Sequence, residues 1–273
     1  MKLLLVTTTY PHAEQRTKLQ HCLRRIKNAV DHGWVERWII VEDAQERTPA
    51  VAALLRRSKT PYIHLAIGPS RAKGHVQRGL AYETIRDLRL RGIVYNLDDD
   101  NEYDPRLWSA LRELRPGRVG VLAVQLGLRG VRERQVERPL YDRATGRFGG
   151  FQAGWCYGDG FLSQTYGPRR FCIDMGGFAF DAALIHERAG GPPWSFNGSF
   201  DRSDASVRTW RGGESEFLAT LITFPEELQP LLNCGLDVLV YHNGLRTHWR
   251  QSERKPFRGL VQRPMAACKL DGW

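Results

Sequence analysis

The first hundred residues alternate short apolar runs with amphipathic stretches, and this alternation narrows the fold more than any other feature of the chain. Leu3-Leu4-Leu5-Val6, Trp38-Ile39-Ile40-Val41, Tyr62-Ile63-His64-Leu65 and the run from Ile93 to Leu97 have the length and composition of buried strands. Between them, His12 to Val30 places Leu19, Leu23, Ile26 and Val30 on one helical face. Thr48 to Arg57 and Val76 to Leu90 read as two further helices. A βαβα order of this kind predicts an α/β fold, a mostly parallel sheet with helices on both faces. Ligands of such sheets bind beyond the carboxyl ends of the strands. Two acidic groups stand at strand ends, Glu42-Asp43 and Asp98-Asp99-Asp100, so they are expected to share one cleft.

After residue 118 the pattern changes. Val119 to Val124 reads as a strand, Arg129 to Arg147 as a charged, turn-rich stretch, and Gly149 to Arg170 is rich in Gly and aromatic residues. Phe171 to Asp174 and Gly177 to Phe180 look like strand pieces, Gly190 to Gly213 like a long loop and lid, and Glu214 to Thr223 like a short helix. Val238 to Tyr241 is a last strand, ending at His242; the tail from Gly244 is basic and reads as an arm for oligomer contacts, a homodimer. No repeat or Pro/Ser-rich linker divides the chain. The expected organisation is therefore one domain over 1–273, with a first half (1–118), a second half (119–243) and an arm (244–273).

At 273 residues the chain can bury a full core. No apolar run approaches the roughly 18 to 20 residues that would span a bilayer, and Leu3 to Val6 is too short for a signal peptide. The net charge of +10 favours acidic partners such as phosphate esters, uronic-acid glycans, anionic lipid or nucleic acid. The excess is mostly Arg spread along the chain, without a nucleic-acid-binding motif, so no nucleic-acid partner is expected. Of the five cysteines, none forms a C-x-x-C pair, which argues against a zinc knuckle; one or two disulfides are compatible with the spacing.

Three adjacent carboxylates in a cleft repel one another and lose hydration. A divalent cation removes both costs, and hard ions such as Mg2+ or Mn2+ take one or two carboxylates together with phosphate oxygens and water. A solvated acidic turn is the competing reading of the triplet taken alone. Arg71, Lys73 and Arg78, just ahead of it, are candidates for gripping a phosphate, or simply a solvated helix start.

Several further segments occur in a fixed order with these. They are Thr7-Thr8-Thr9-Tyr10, Val41-Glu42-Asp43-Ala44, Gly74 to Arg78, Gly92-Ile93-Val94-Tyr95 and Asp98-Asp99-Asp100-Asn101. Then come Glu137-Arg138-Pro139, Phe171 to Ala179, Gly213-Glu214-Ser215, Glu226 to Pro230, Asn233-Cys234 and Val238 to His242. Together they resemble glycosyltransferase family 43, the β-1,3-glucuronyltransferases, over roughly residues 3–243. The resemblance implies the nucleotide-sugar transferase type A fold and an inverting transfer of glucuronic acid from UDP-glucuronate. The acceptor would be a galactose-containing glycan, with Mn2+ as cofactor. It also implies the Golgi lumen, although a type II membrane anchor is absent from this chain; without one upstream, the cytoplasm is expected.

By the same resemblance Asp100 is the metal ligand, and Asp98 and Asp99 hold ribose, sugar hydroxyls or metal-bound water. Asp43 accepts the uracil N–H, Thr9 and Tyr10 cradle uridine, and Lys73, Arg78 and His242 grip the donor. Glu137, Arg138 and Asp174 bind acceptor hydroxyls and Trp155 stacks on a sugar. Glu214 is the catalytic base, since an inverting transfer needs one group to take the acceptor proton. The chain departs from the family at Thr8 (usually Pro), Lys73 (usually Arg) and Asn243-Gly244 (often Thr-Arg). The insert between Trp155 and Arg170 and the long loop before Gly213 are departures too. A second reading keeps the fold but uses another UDP-sugar, such as UDP-xylose in xylan-type synthesis. A third is a non-catalytic scaffold subunit of a glycan-synthesising complex, against which intact Asp100 and Glu214 argue.

Overall fold

The structure, a computed structural model, describes residues 1–70, 74–126, 135–142, 145–153, 156, 169–186 and 213–242. The chain opens with β1 (Leu3–Thr9), α1 (Gln15–Asp31), β2 (Val35–Glu42), α2 (Pro49–Arg57), β3 (Tyr62–Ala66), α3 (His75–Asp87) and β4 (Ile93–Asn96). Then follow β5 (Glu102–Tyr103), α4 (Leu107–Leu111), β6 (Val119–Val121), β7 (Ala123–Leu126), β8 (Gln135–Tyr141) and β9 (Phe148–Gln152). A 3-10 turn over Met175–Gly177 leads into β10 (Phe178–Asp181) and α5 (Ala183–His186). The described part closes with α6 (Glu214–Leu221), β11 (Gln229–Pro230), α7 (Leu232–Gly235) and β12 (Val238–Tyr241).

The main sheet has seven strands in the order β11-β6-β10-β4-β1-β2-β3. Strands β3, β2, β1 and β4 run parallel, β11 is parallel to β6, and β10 lies antiparallel between β4 and β6. This is the α/β, parallel-rich architecture that the alternation predicts. Strand alternation divides the core into two layers. Leu3, Leu5, Trp38, Ile40, Ile93 and Tyr95 face α1, α2 and α4, while Leu4, Val6, Ile39, Val41 and Val94 face α3 and α6. On α1 the buried residues Leu19, Cys22, Ile26 and Ala29 recur every three or four positions, as one helical face must. Each fully buried Leu or Ile contributes about 1.5 to 3 kcal/mol of transfer free energy, so each layer is a substantial part of the stability.

From β1 the chain builds β2 and β3 to one side and β4 to the other. That reversal leaves a crevice beyond the carboxyl ends of β1 and β4, where a doubly wound sheet binds ligand. A second sheet, β5-β12-β7-β8-β9, stands beside the first.

Four sequence expectations need correction. The strand expected over Val119 to Val124 is two strands in different sheets. The chain steps across at Leu122, whose N–H donates to the Gly177 carbonyl (2.9 Å). A Cβ on Gly177 would meet Ile173 Cγ1 at 2.5 Å, so this crossing needs glycine. The charged stretch expected as turns contains β8, which buries Glu137 and Pro139 while Val136 and Arg138 are only partly covered. The apolar alternation is thus inverted and gave no strand signal. Phe171 to Asp174 is irregular rather than a strand, and α1 begins at Gln15 rather than His12. The expected lid before Gly213 and the arm from Gly244 lie outside the described residues.

Candidate active site

Strand β4 delivers the triplet into the crevice, and the neighbouring elements hold its members differently. Asp99 is buried; its Oδ2 accepts from Thr9 Oγ1 (2.8 Å), and its Oδ1 lies 3.6 Å from Lys18 Nζ on α1. Asp98 Oδ1 accepts from the Arg78 guanidinium of α3 at 2.5 Å. Burial and the nearby Asp100 and Asp174 push Asp98 up to about 6 against the opposing pull of Arg78. Arg78 also loses hydration, but Asp98 keeps it firmly charged. Asp100 is half-buried, and among the described residues its carboxylate makes no hydrogen bond or ion pair.

Arg78 reaches Asp98 because α3 starts tightly against β1. Gly74, the residue before that helix, has φ +87°, and a Cβ there would meet both Arg78 Nη1 and Thr8 Oγ1 at 2.9 Å. Just past β1 Tyr10 is exposed beside the ring of His12, with centroids 4.5 Å apart. Asp43, just past β2, donates its N–H to the Thr9 carbonyl (2.7 Å) and accepts from the Ser70 N–H at 2.6 Å through Oδ1. Lys73 lies outside the described residues.

The opposite wall comes from the second half of the chain. Ser215 Oγ accepts from the N–H groups of Arg170 and Phe171 (2.9 and 3.0 Å), pinning the start of α6 onto the segment that ends in Asp174. Glu214, the first residue of α6, is half-buried there. Burial raises its pKa and the charge of Asp174 adds to the rise, while Arg169 and Arg78 oppose it. Asp174 caps the 3-10 turn by accepting from Gly176 N–H (2.9 Å), and its Oδ2 lies 3.4 Å from His242 Nδ1. At that distance the two form an ion pair without an aligned hydrogen bond, since among the described residues Nδ1 has no hydrogen-bond partner. Burial alone would lift Asp174, but His242, the Gly176 amide and Arg169 hold it below the ordinary range. Burial works against the His242 charge as well, yet Asp174, Asp100 and Asp98 raise it to about 9.

A family model for glycosyltransferase family 43 matches residues 19–246. The chain belongs to glycosyltransferase family 43. It is 33% identical over 258 residues to galactosylgalactosylxylosylprotein 3-beta-glucuronosyltransferase I of Drosophila melanogaster, covering 87% of this chain and 74% of that protein. Against galactosylgalactosylxylosylprotein 3-beta-glucuronosyltransferase 1 of Homo sapiens it is 30% identical over 259 residues, 87% and 67% of the two chains. Among solved structures, S. aureus TarS 1-349 superposes with a TM-score of 0.46 at 12% identity, over 89% of this chain and 60% of that one.

Within this family 43 chain, the crevice gathers Thr9, Arg78, the acidic triplet, Asp174, His242 and Glu214. Glu137 is buried against Arg169 (Oε1 to Nη1, 3.2 Å), while Arg138, next along β8, extends to the other face and donates to Gln152 Oε1 (3.0 Å). Trp155 lies outside the described residues. Two residues of the site escaped the sequence reading. Arg169 joins Glu137 to the Ile173 carbonyl (2.5 Å) and bears on both Asp174 and Glu214. Its only signal was its place two residues before Phe171-Cys172-Ile173-Asp174. Lys18 sits on the polar side of α1, and nothing in a helical period shows which polar residue turns to a strand end.

Proposed function

We propose that this chain transfers glucuronic acid from UDP-glucuronate to a hydroxyl of a galactose-containing glycan, with Mn2+, inverting the anomeric centre. One observation carries the reading: Arg78 lies in electrostatic reach both of an acidic triplet, whose Asp100 is unengaged among the described residues, and of a half-buried glutamate whose proton affinity is raised. The names of the related proteins supply the sugar and the acceptor class.

The residues fit a divalent cation. Asp98 and Asp99 are engaged by Arg78, Thr9 and Lys18, which leaves Asp100 as the carboxylate able to take a ligand position. Among the described residues no three acidic, His or Cys side chains converge closely enough to close a cage. That suits an ion that takes most of its shell from diphosphate oxygens and water. Once bound, the ion would neutralise charge on the departing diphosphate.

The chain's own residues do the rest. Thr9 and Lys18 fix Asp99, and Arg78 fixes Asp98, so the triplet does not collapse by mutual repulsion. His242 and Arg78 set positive charge beside the donor. Glu214, kept partly from water, takes the proton of the acceptor hydroxyl as that oxygen attacks C1 from the side opposite UDP. Asp174 and the Glu137–Arg169 pair shape the acceptor wall. A lumenal, oxidising setting agrees with the disulfide between Cys156 and Cys172.

Calorimetric titration of UDP with and without Mn2+, in the native chain and in Asp100→Ala, tests the metal role. Mn2+ should tighten UDP binding to the native chain and do little for the variant; equal affinity in all four titrations would remove the metal from the site. UDP release across a panel of UDP-sugars with galactosyl acceptors tests the donor, and a preference for UDP-xylose would replace glucuronate.

A further inference from the structure

A cavity of about 450 Å³ lies away from the strand-end crevice, between the β11 edge of the main sheet and the β8–β9 hairpin of the second sheet. Its volume is in the range of small-ligand pockets. Arg115 and Arg118 approach it from the segment before β6, and Arg147 from the hairpin turn. All three are exposed, and among the described residues Arg118 and Arg147 make no ion pair. Tyr141 and Phe148, in edge-to-face contact at 5.6 Å, give the cavity an aromatic wall. Tyr141 is fixed there by its hydroxyl, which donates to the Leu228 carbonyl (3.0 Å). The other wall is the segment Glu226 to Pro230, which the active site does not use. Glu227 is occupied in accepting the N–H groups of Thr223 and Phe224, which leaves Glu226 as the other carboxylate lining the cavity with the three Arg side chains.

We propose that this cavity is a second glycan subsite, which takes an anionic sugar unit, uronate or sulfated, of the same saccharide chain on which the enzyme acts. Guanidinium forks pair with carboxylate and sulfate oxygens two at a time. A single aromatic ring face is the kind of apolar surface that a sugar ring covers, and Glu226 can accept from hydroxyls. Strand β8 ties the two sites together. Glu137 at the acceptor wall and Tyr141 at the cavity are four residues apart on one strand, about 13 Å at the usual rise. A ligand that reached both would be an oligosaccharide, and the subsite would favour acceptor chains that already carry negative charge.

The choice of glycan rests on the transferase reading, but the test needs no donor and no turnover. A failed binding experiment leaves the transfer assay standing, and the reverse also holds. The probes are a chondroitin sulfate hexasaccharide, its desulfated form, neutral cellohexaose and inorganic sulfate, each titrated by calorimetry into the native chain saturated with UDP and Mn2+. Both chondroitin probes should bind more tightly than cellohexaose or sulfate. The double variant Arg118→Gln, Arg147→Gln should weaken them roughly a hundredfold, since each lost charged hydrogen bond is worth about a decade. Glu226→Lys should strengthen them, a gain that no folding defect can imitate. Transfer to a short neutral galactosyl acceptor should not change in any of these variants. Unchanged chondroitin affinity in the double variant, a loss in Glu226→Lys, cellohexaose binding as tightly as chondroitin, or sulfate alone matching the hexasaccharides would overturn the proposal.

Discussion

Glu214 is a carboxylate held partly out of water beside the charge of another carboxylate, Asp174, and both its proposed role as the base and its cost to stability follow from that position. Burial raises its pKa, and Arg169 and Arg78 recover only part of the penalty. A folded-state pKa above the unfolded one gives stability that is complete at acid pH and lost as pH rises through the shifted value. Glu214→Gln imitates the protonated form. The variant should therefore be more stable than the native chain at neutral pH, and the difference should vanish below the ordinary glutamate range. Chemical denaturation across that range measures it; parallel curves would show that the site does not perturb Glu214. The same substitution cannot accept a proton, so turnover should fall by roughly two to four decades while UDP binding stays near normal. Glu214 could be found in the sequence because it follows Gly212-Gly213 at a helix start within a family segment. Arg169 could not, because its role depends on a buried partner, Glu137, that is 32 residues away.

At the scale of an element, the end of β2 depends on a single carboxylate. Glu42 is fully buried, and it accepts from Gln15 Nε2 on α1 (2.9 Å), from the Thr48 N–H and hydroxyl ahead of α2 (2.8 Å each), and contacts His64 Nε2 on β3 (2.6 Å). Burial alone would raise its pKa, but His64, Thr48 and Gln15 hold it below the ordinary range. Its stabilisation is therefore present above the unfolded glutamate pKa and lost as pH falls through the lower folded value. Glu42→Ala leaves three elements with unpaired buried groups, and should cost about 3 to 5 kcal/mol in denaturant unfolding at neutral pH. UDP affinity should fall as well, because Asp43 is the next residue; a loss under 1 kcal/mol with UDP binding intact would mean that the helices hold this corner without Glu42. Elements with ordinary patterning, β1 to β4 and α1 to α3, could be read from the sequence with ends within a few residues. Strand β8 could not, because its covered side carries Glu137 and Pro139 rather than apolar residues.

On the scale of the whole molecule, the sequence divides near residue 118 but the sheet does not. Strands β6, β10 and β11 all come after that point and complete the sheet begun by β1 to β4. Such pairing between distant segments leaves no local trace, whereas the crevice itself could be placed from strand ends alone. A separate test is open at the proposed acceptor wall, because the disulfide joins Cys156 to Cys172, two residues from Asp174. The bridge closes a loop with a sequence separation of 16. Cys156→Ser should therefore lower stability by about 3 kcal/mol on the chain-entropy account, roughly 6 to 12 °C in Tm for a chain of this size. If the two walls answer independently, the variant should raise KM for the galactosyl acceptor and leave the affinity for UDP with Mn2+ unchanged, measured well below its Tm. Equal losses on both sides would instead mean that the bridge supports the crevice as one unit, transmitted through Asp174, His242 and the acidic triplet. An unchanged acceptor KM would place the bridge outside the acceptor wall and leave Ser215, which anchors Arg170 and Phe171, as what holds Asp174 against Glu214.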